Sequence, residues 1–119
     1  MSTYFISGHL DVTLEEFSKH YHTPITEARN AGHCFVIGDA KGVDAMAQVF
    51  LKGYDKVTVF HMFEKPRHNE NFPVIGGFKN DEDRDSAMTW ASDLDIAWVR
   101  PGREKSGTAK NIARRLLCK

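Results

Sequence analysis

The sequence predicts an α/β domain, a three-layer sandwich around a mostly parallel sheet of four or five strands. Three observations carry this. Short, near-continuous apolar runs alternate with segments of helical periodicity, the rhythm of strands joined through crossover helices. The runs are apolar on both faces, as befits strands covered on both sides. The length, 119 residues with 41% hydrophobic and 27% charged side chains, suits one core. A single domain over residues 1–119 is expected.

Thr3 to Ser7 reads as the first strand and ends at Gly8. Thr13 is placed to cap the next helix, with Glu16 completing a capping box. Phe17, Tyr21, Ile25 and Ala28 then recur at helical spacing until Gly32 stops the pattern. Pro24 falls inside it and predicts a kink or break near His22-Thr23. Cys34 to Ile37 is the second strand, ending at Gly38, and a helix follows over about Val43 to Leu51, closed by Gly53. Lys56 to His61, rich in β-branched and aromatic residues, is the third strand.

Met62 to about Asn80 holds Pro66, Pro73, Gly76 and Gly77 and reads as a long connection, of the kind that serves as a lid or binding loop. Its Phe63, His68, Phe72 and Phe78 are placed either to stack on a base or to cover the open sheet edge. A helix near Asp81–Ala91, a strand near Leu94–Val99 and a last helix from Gly107-Thr108 through Leu117 complete the chain. The simplest winding puts the strands in the order third, second, first, fourth, a Rossmann-like arrangement that reverses between first and fourth. Ligands of open α/β sheets bind outside the carboxyl ends of the strands at such a reversal.

Sixteen basic residues cancel sixteen acidic ones, which argues against bulk nucleic-acid binding. No basic leader precedes a long apolar stretch, and no window approaches the ~20 apolar residues of a membrane span. A cytoplasmic protein without a membrane partner is expected. Cys34 and Cys118 are too few for a disulfide scaffold, and Cys34 is expected to be a reduced core thiol. The six histidines form no ligand set, so neither a metal nor another cofactor is expected. Trp90 and Trp98 are assigned to the core or to a homo-oligomer surface.

Three glycine-bearing turns fall at strand carboxyl ends: Ser7-Gly8-His9, Gly38 through Asp44, and Pro101-Gly102 through Gly107-Thr108. The second and third run directly into helices, whose first amides and dipole favour an anion. Ser7, Gly8, His9, Gly38, Lys41, Gly42, Ser106, Gly107 and Thr108 are therefore candidate ligand-binding residues. Arg84 joins them, placed either to clamp a phosphate or to pair with a surface acid. Neither G-x-G-x-x-G nor G-x-x-x-x-G-K-[ST] occurs. Cleavage of a glycosidic bond would need a carboxylate near the anomeric carbon, for which Asp39 and Asp44 are the candidate catalytic residues.

Gly38-Asp39-Ala40-Lys41-Gly42-Val43-Asp44-Ala45-Met46-Ala47 resembles the GG-A-[RK]-G-[AV]-D-x-[LM]-A signature of the SLOG superfamily, in its YspA-like branch. An Arg-bearing helix (Asp83 to Met88), a strand and Pro-Gly…Gly-Thr before the last helix follow in the matching order, so the resemblance covers nearly the whole chain. It implies a Rossmann-like domain related to the Lonely Guy and DprA proteins, whose relatives bind nucleotides, nucleotide-derived signals or single-stranded DNA. Lonely Guy enzymes cleave the N-glycosidic bond of nucleoside monophosphates and carry PGGxGTxxE. This chain departs from that motif by an insertion and by Asn111 in place of the Glu. Asn cannot act as a carboxylate. The expectation is a binder of a nucleotide or nucleotide-derived phosphorylated ligand, as sensor or sequestering protein, with a nucleoside monophosphate N-glycosidase as the alternative.

Overall fold

The computed structural model describes residues 1–118; Lys119 and the side chain of Cys118 lie outside the described residues. The elements are β1 (Thr3–Ser7), α1 (Leu14–His20), α2 (His22–Asn30), β2 (Cys34–Ile37), α3 (Val43–Phe50), β3 (Val57–Met62), β4 (Val74–Phe78), α4 (Asp81–Trp90), β5 (Leu94–Ala97) and α5 (Gly107–Cys118). The five strands form one parallel sheet in the order β4-β3-β2-β1-β5. The expected order of four strands is present within it, and β4 adds an edge.

Strands β1, β2 and β3 bury residues on both faces of the sheet. Ile6, Phe35, Ile37, Val57 and Val59 pack with Phe17, Tyr21, Ile25, Val43 and Leu51 of α1 to α3 and its C-cap. Phe5, Val36 and Phe60 pack with Met88 of α4 on the other face. Full burial of each such large apolar side chain stabilises the fold by about 1.5–3 kcal/mol.

The capping box forms as expected. Glu16 N donates to Thr13 Oγ1 (3.1 Å), and Thr13 N donates to Glu16 Oε1 (3.0 Å). The helical pattern breaks at Tyr21, and Pro24 sits in the first turn of α2, where a missing N–H costs nothing.

Two expectations are corrected, and two open alternatives are narrowed. The Met62–Asn80 segment is not without structure, because Val74–Phe78 extends the sheet as an exposed edge strand. Phe72 lies in the core and Phe78 stacks on Phe60, so these rings serve packing, while Phe63 is exposed. Cys34 is half-buried at the start of β2, with its Sγ 3.3 Å from Met1 Sδ, rather than in the core. Trp90 is exposed, and Trp98 is stacked on His20. Among the described residues, no helix is long and apolar enough to cross a membrane.

Candidate functional site

Strands β1 and β5 pair as far as Ser7 and Ala97 and then part. Tyr21 fills the fork. Its hydroxyl donates to Ser7 O (2.7 Å) and accepts from Trp98 N (2.9 Å), satisfying the backbone groups where the ladder ends. Burial pushes the phenol up, so it stays neutral. Above the fork lies a cavity of about 540 Å³, within the range of small-molecule sites.

Ser7, Gly8 and His9 form one wall, Lys41 and Asp44 a second, Arg84 and Asp85 of α4 a third, and Ser106, Gly107, Thr108 and Asn111 a fourth. The expected reversal of winding therefore does hold a cavity, and nine of the candidate residues border it. Gly38, Asp39 and Gly42 do not.

The fourth wall suits an anion best. Helix α5 has no acid in its first turn, whereas α4 begins Asp81-Glu82-Asp83 and α3 carries Asp44. Ser106 accepts from Ala109 N through its side chain (3.2 Å) and from Lys110 N through its carbonyl (3.0 Å). The amides of Gly107 and Thr108 have no acceptor among the described residues, so the positive end of the dipole is open to the cavity. Opposite, the Ser7 hydroxyl is buried and has no hydrogen-bond partner among the described residues. A buried hydroxyl left unpaired costs about 1–3 kcal/mol, and a ligand that pairs it recovers that.

The floor is an ionic network. Asp39, fully buried, accepts from Arg67 through N (2.8 Å), Nε (3.1 Å) and Nη2 (2.8 Å), and from Arg84 Nη1 (2.8 Å). Burial works against its charge, but the bonds from Arg67 and Arg84 outweigh that and hold its carboxyl at about 2. Both oxygens are occupied. Asp39 is thus an anchor for the 63–73 segment and for α4, not a base facing a substrate. Arg84 is bound in turn: besides Asp39 it reaches Asp85 through Nη2 (3.1 Å) and Nε (3.2 Å), with Asp81 at 3.3 Å. The guanidinium lines the cavity with most of its protons already committed to carboxylates.

Gly38 and Gly42 serve this floor and its rim. A Cβ on Gly38 would lie 2.5 Å from Asp44 Oδ2 and 3.1 Å from Arg84 Cζ, so the bare backbone leaves room for both groups. Gly42 caps α3 at φ 76°, and a Cβ there would collide with the carbonyl oxygens of His9 and Leu10.

Asp44 differs from Asp39. Among the described residues it accepts only from Ala40 N (3.2 Å), and burial pushes its carboxyl up to about 7 although Arg84 acts in the opposite sense. Its folded pKa lies above the unfolded one, so its contribution to stability is present at low pH and is lost as pH rises from about 4 to 7. Asp44→Asn is expected to flatten that limb, whose slope is at most about 1.4 kcal/mol per pH unit. Denaturant midpoints of both proteins from pH 4 to 8 check this; parallel curves would contradict it.

His9 is buried and accepts from Arg100 N through Nε2 (2.9 Å), leaving the proton of the neutral ring on Nδ1. Burial first, then Arg100 and Arg103, lower its pKa and keep it neutral. Asn111 is held between Arg114 Nη1 (2.6 Å) and Asp85 Oδ2 (3.1 Å).

Several site-building residues escape sequence reasoning. Gln48, fully buried, donates to Gly38 O (2.9 Å) and His68 O (3.1 Å) and accepts from Glu70 N (3.0 Å), fastening the 63–73 segment to β2. A glutamine on the apolar face of an amphipathic helix is the one sequence signal for such a role. Arg67 and Tyr21 carry no local signal.

Fold and site define an α/β protein of Rossmann-like architecture with a cavity at its topological switch point. No family model matches the chain, and no curated protein or solved structure matches it.

Proposed function

We propose that the protein binds a nucleotide or nucleotide-derived phosphorylated ligand in the switch-point cavity, as a sensor or sequestering protein of the cytoplasm. The observation that carries this reading is the pairing of the open α5 amides of Gly107 and Thr108 with the unpartnered Ser7 hydroxyl across one 540 Å³ cavity. Phosphate sits on the amides, where acid is absent, and Ser7 completes its hydrogen bonds. The Asp44 carboxyl and the His9 Nδ1–H are left for the hydroxyls and ring nitrogens of a nucleoside. SLOG membership accords with this: the Gly38–Ala47 motif forms the turn from β2 into α3, and Gly107-Thr108 opens α5.

One observation favours a second reading, an N-glycoside hydrolase. Asp44 borders the cavity with a carboxyl poised near neutral pH, as a general acid or base needs to be. A panel of nucleoside 5′-monophosphates separates the two. At about 100 times its Kd a bound ligand adds roughly 2.7 kcal/mol, a clear rise in melting temperature. Stabilisation without release of free base is the result expected of a binder; base release abolished by Asp44→Asn would establish the hydrolase. No shift with any member would refute both.

A further inference from the structure

A second cavity, of about 380 Å³, adjoins the first and shares Leu10, Ala40, Lys41 and Arg67 with it. Its remaining lining is Asp39, Ala45 and His68, so it lies over β2, on the side of the site away from α5. Two cations therefore stand on the partition. Lys41 is exposed and has no carboxylate partner among the described residues. Arg67 spends Nε and Nη2 on Asp39 and Asp81, and its Nη1 has no acceptor among the described residues. The partition is fixed in place, because the Asp39–Arg67 bonds and the Gln48 clasp hold the 63–73 segment to the sheet. Beyond it, the side chains of Leu10, Ala40 and Ala45 are apolar, and the His68 ring lies at the edge with its Nε2 turned to Glu70 Oε2 at 2.9 Å.

We infer that the ligand has two ring-bearing halves joined through phosphate: one half in the switch-point cavity, the anionic linkage at Lys41 and Arg67, and the other half in the second cavity. This rests on the nucleotide reading above and extends it. A monophosphate fills only the first cavity and leaves the Lys41 ammonium and Arg67 Nη1 facing solvent. An added phosphate linkage gains charge-assisted hydrogen bonds there, and a planar ring covers apolar surface beyond them.

The test compares three probes for each of the four bases by calorimetry: the nucleoside 5′-monophosphate, the symmetrical dinucleoside diphosphate and the 5′-phosphorylated dinucleotide. The last two differ in linkage and tell a diphosphate from a phosphodiester. At least one two-ring probe is expected to bind about tenfold or more tighter than its monophosphate. Ala45→Met fills the second cavity without touching the first, and should remove that advantage while leaving monophosphate affinity unchanged. Lys41→Ala, at an exposed position, should weaken the two-ring probe more than the monophosphate. If no two-ring probe is tighter, or if its advantage survives both substitutions, the second cavity is no subsite, and monophosphate binding still upholds the nucleotide reading. If none of the probes binds, the nucleotide reading fails and this inference fails with it.

Discussion

Arg84→Ala is expected to cost about 3–5 kcal/mol of stability, as removal of one partner from a buried ion pair does. Asp39 is fully buried, and Arg84 Nη1 is its only strong contact from the α4 side, at 2.8 Å. Asp85 loses both of its bonds from the same guanidinium. With Arg84 gone, Asp39, Asp44, Asp81 and Asp85 face one another with Arg67 alone among them, and part of the network must take up protons or water. Against a total stability of 5–15 kcal/mol for an ordinary domain, this is a large fraction. Arg84→Lys should recover only part, because an ammonium cannot reach Asp39 and Asp85 together. Urea midpoints measure both variants. A loss below about 1 kcal/mol, the level of a surface pair, would show that the network does not hold the floor.

Gly42→Val is expected to be comparably damaging. At φ 76° and ψ −130° the residue stands where a β-branched side chain is strained by about 1–3 kcal/mol. The new Cβ would also run into the carbonyl oxygens of His9 and Leu10, which are backbone and cannot rotate away. The β1–α1 loop must move, carrying the His9 wall of the cavity with it. Gly102→Ala is the control: φ there is 91°, yet nothing lies within 4 Å, so only backbone strain of about 1–2 kcal/mol is expected. Equal thermal unfolding of the two variants would mean that the close approach at Gly42 carries no weight.

These two positions show what a chain makes legible before it is folded. The Gly42 requirement is local, a turn from strand to helix, and the glycine marks it. The same holds for the Thr13–Glu16 capping box, for the break that Pro24 announces, and for the strand order that places a cavity between β1 and β5. Arg84 is legible only by half. Its helix position points to the strand ends, but its partner Asp39 lies 45 residues away and the competing Arg67 is 28 from Asp39. Nothing in local pattern says that the two arginines share one carboxylate. Strand β4 is hidden for a different reason: it is an exposed edge reading Val74-Ile75-Gly76-Gly77-Phe78, entered through Pro73. An edge strand tolerates proline and glycine that would disqualify a central one, so the same residues read as punctuation.

The position of a phosphorylated ligand on the protein tests the proposed site most directly. Backbone amide NMR of the uniformly ¹⁵N-labelled protein, titrated with the nucleoside 5′-monophosphates, locates it directly. Saturable shifts at the amides of Gly107 and Thr108, at the open end of α5, together with Ser7 and Gly8 across the cavity, are the predicted result, with the unphosphorylated nucleosides moving Gly107 and Thr108 far less. Shifts that saturate elsewhere while those four amides stay still, or no saturable shift with any of the nucleotides, would contradict it.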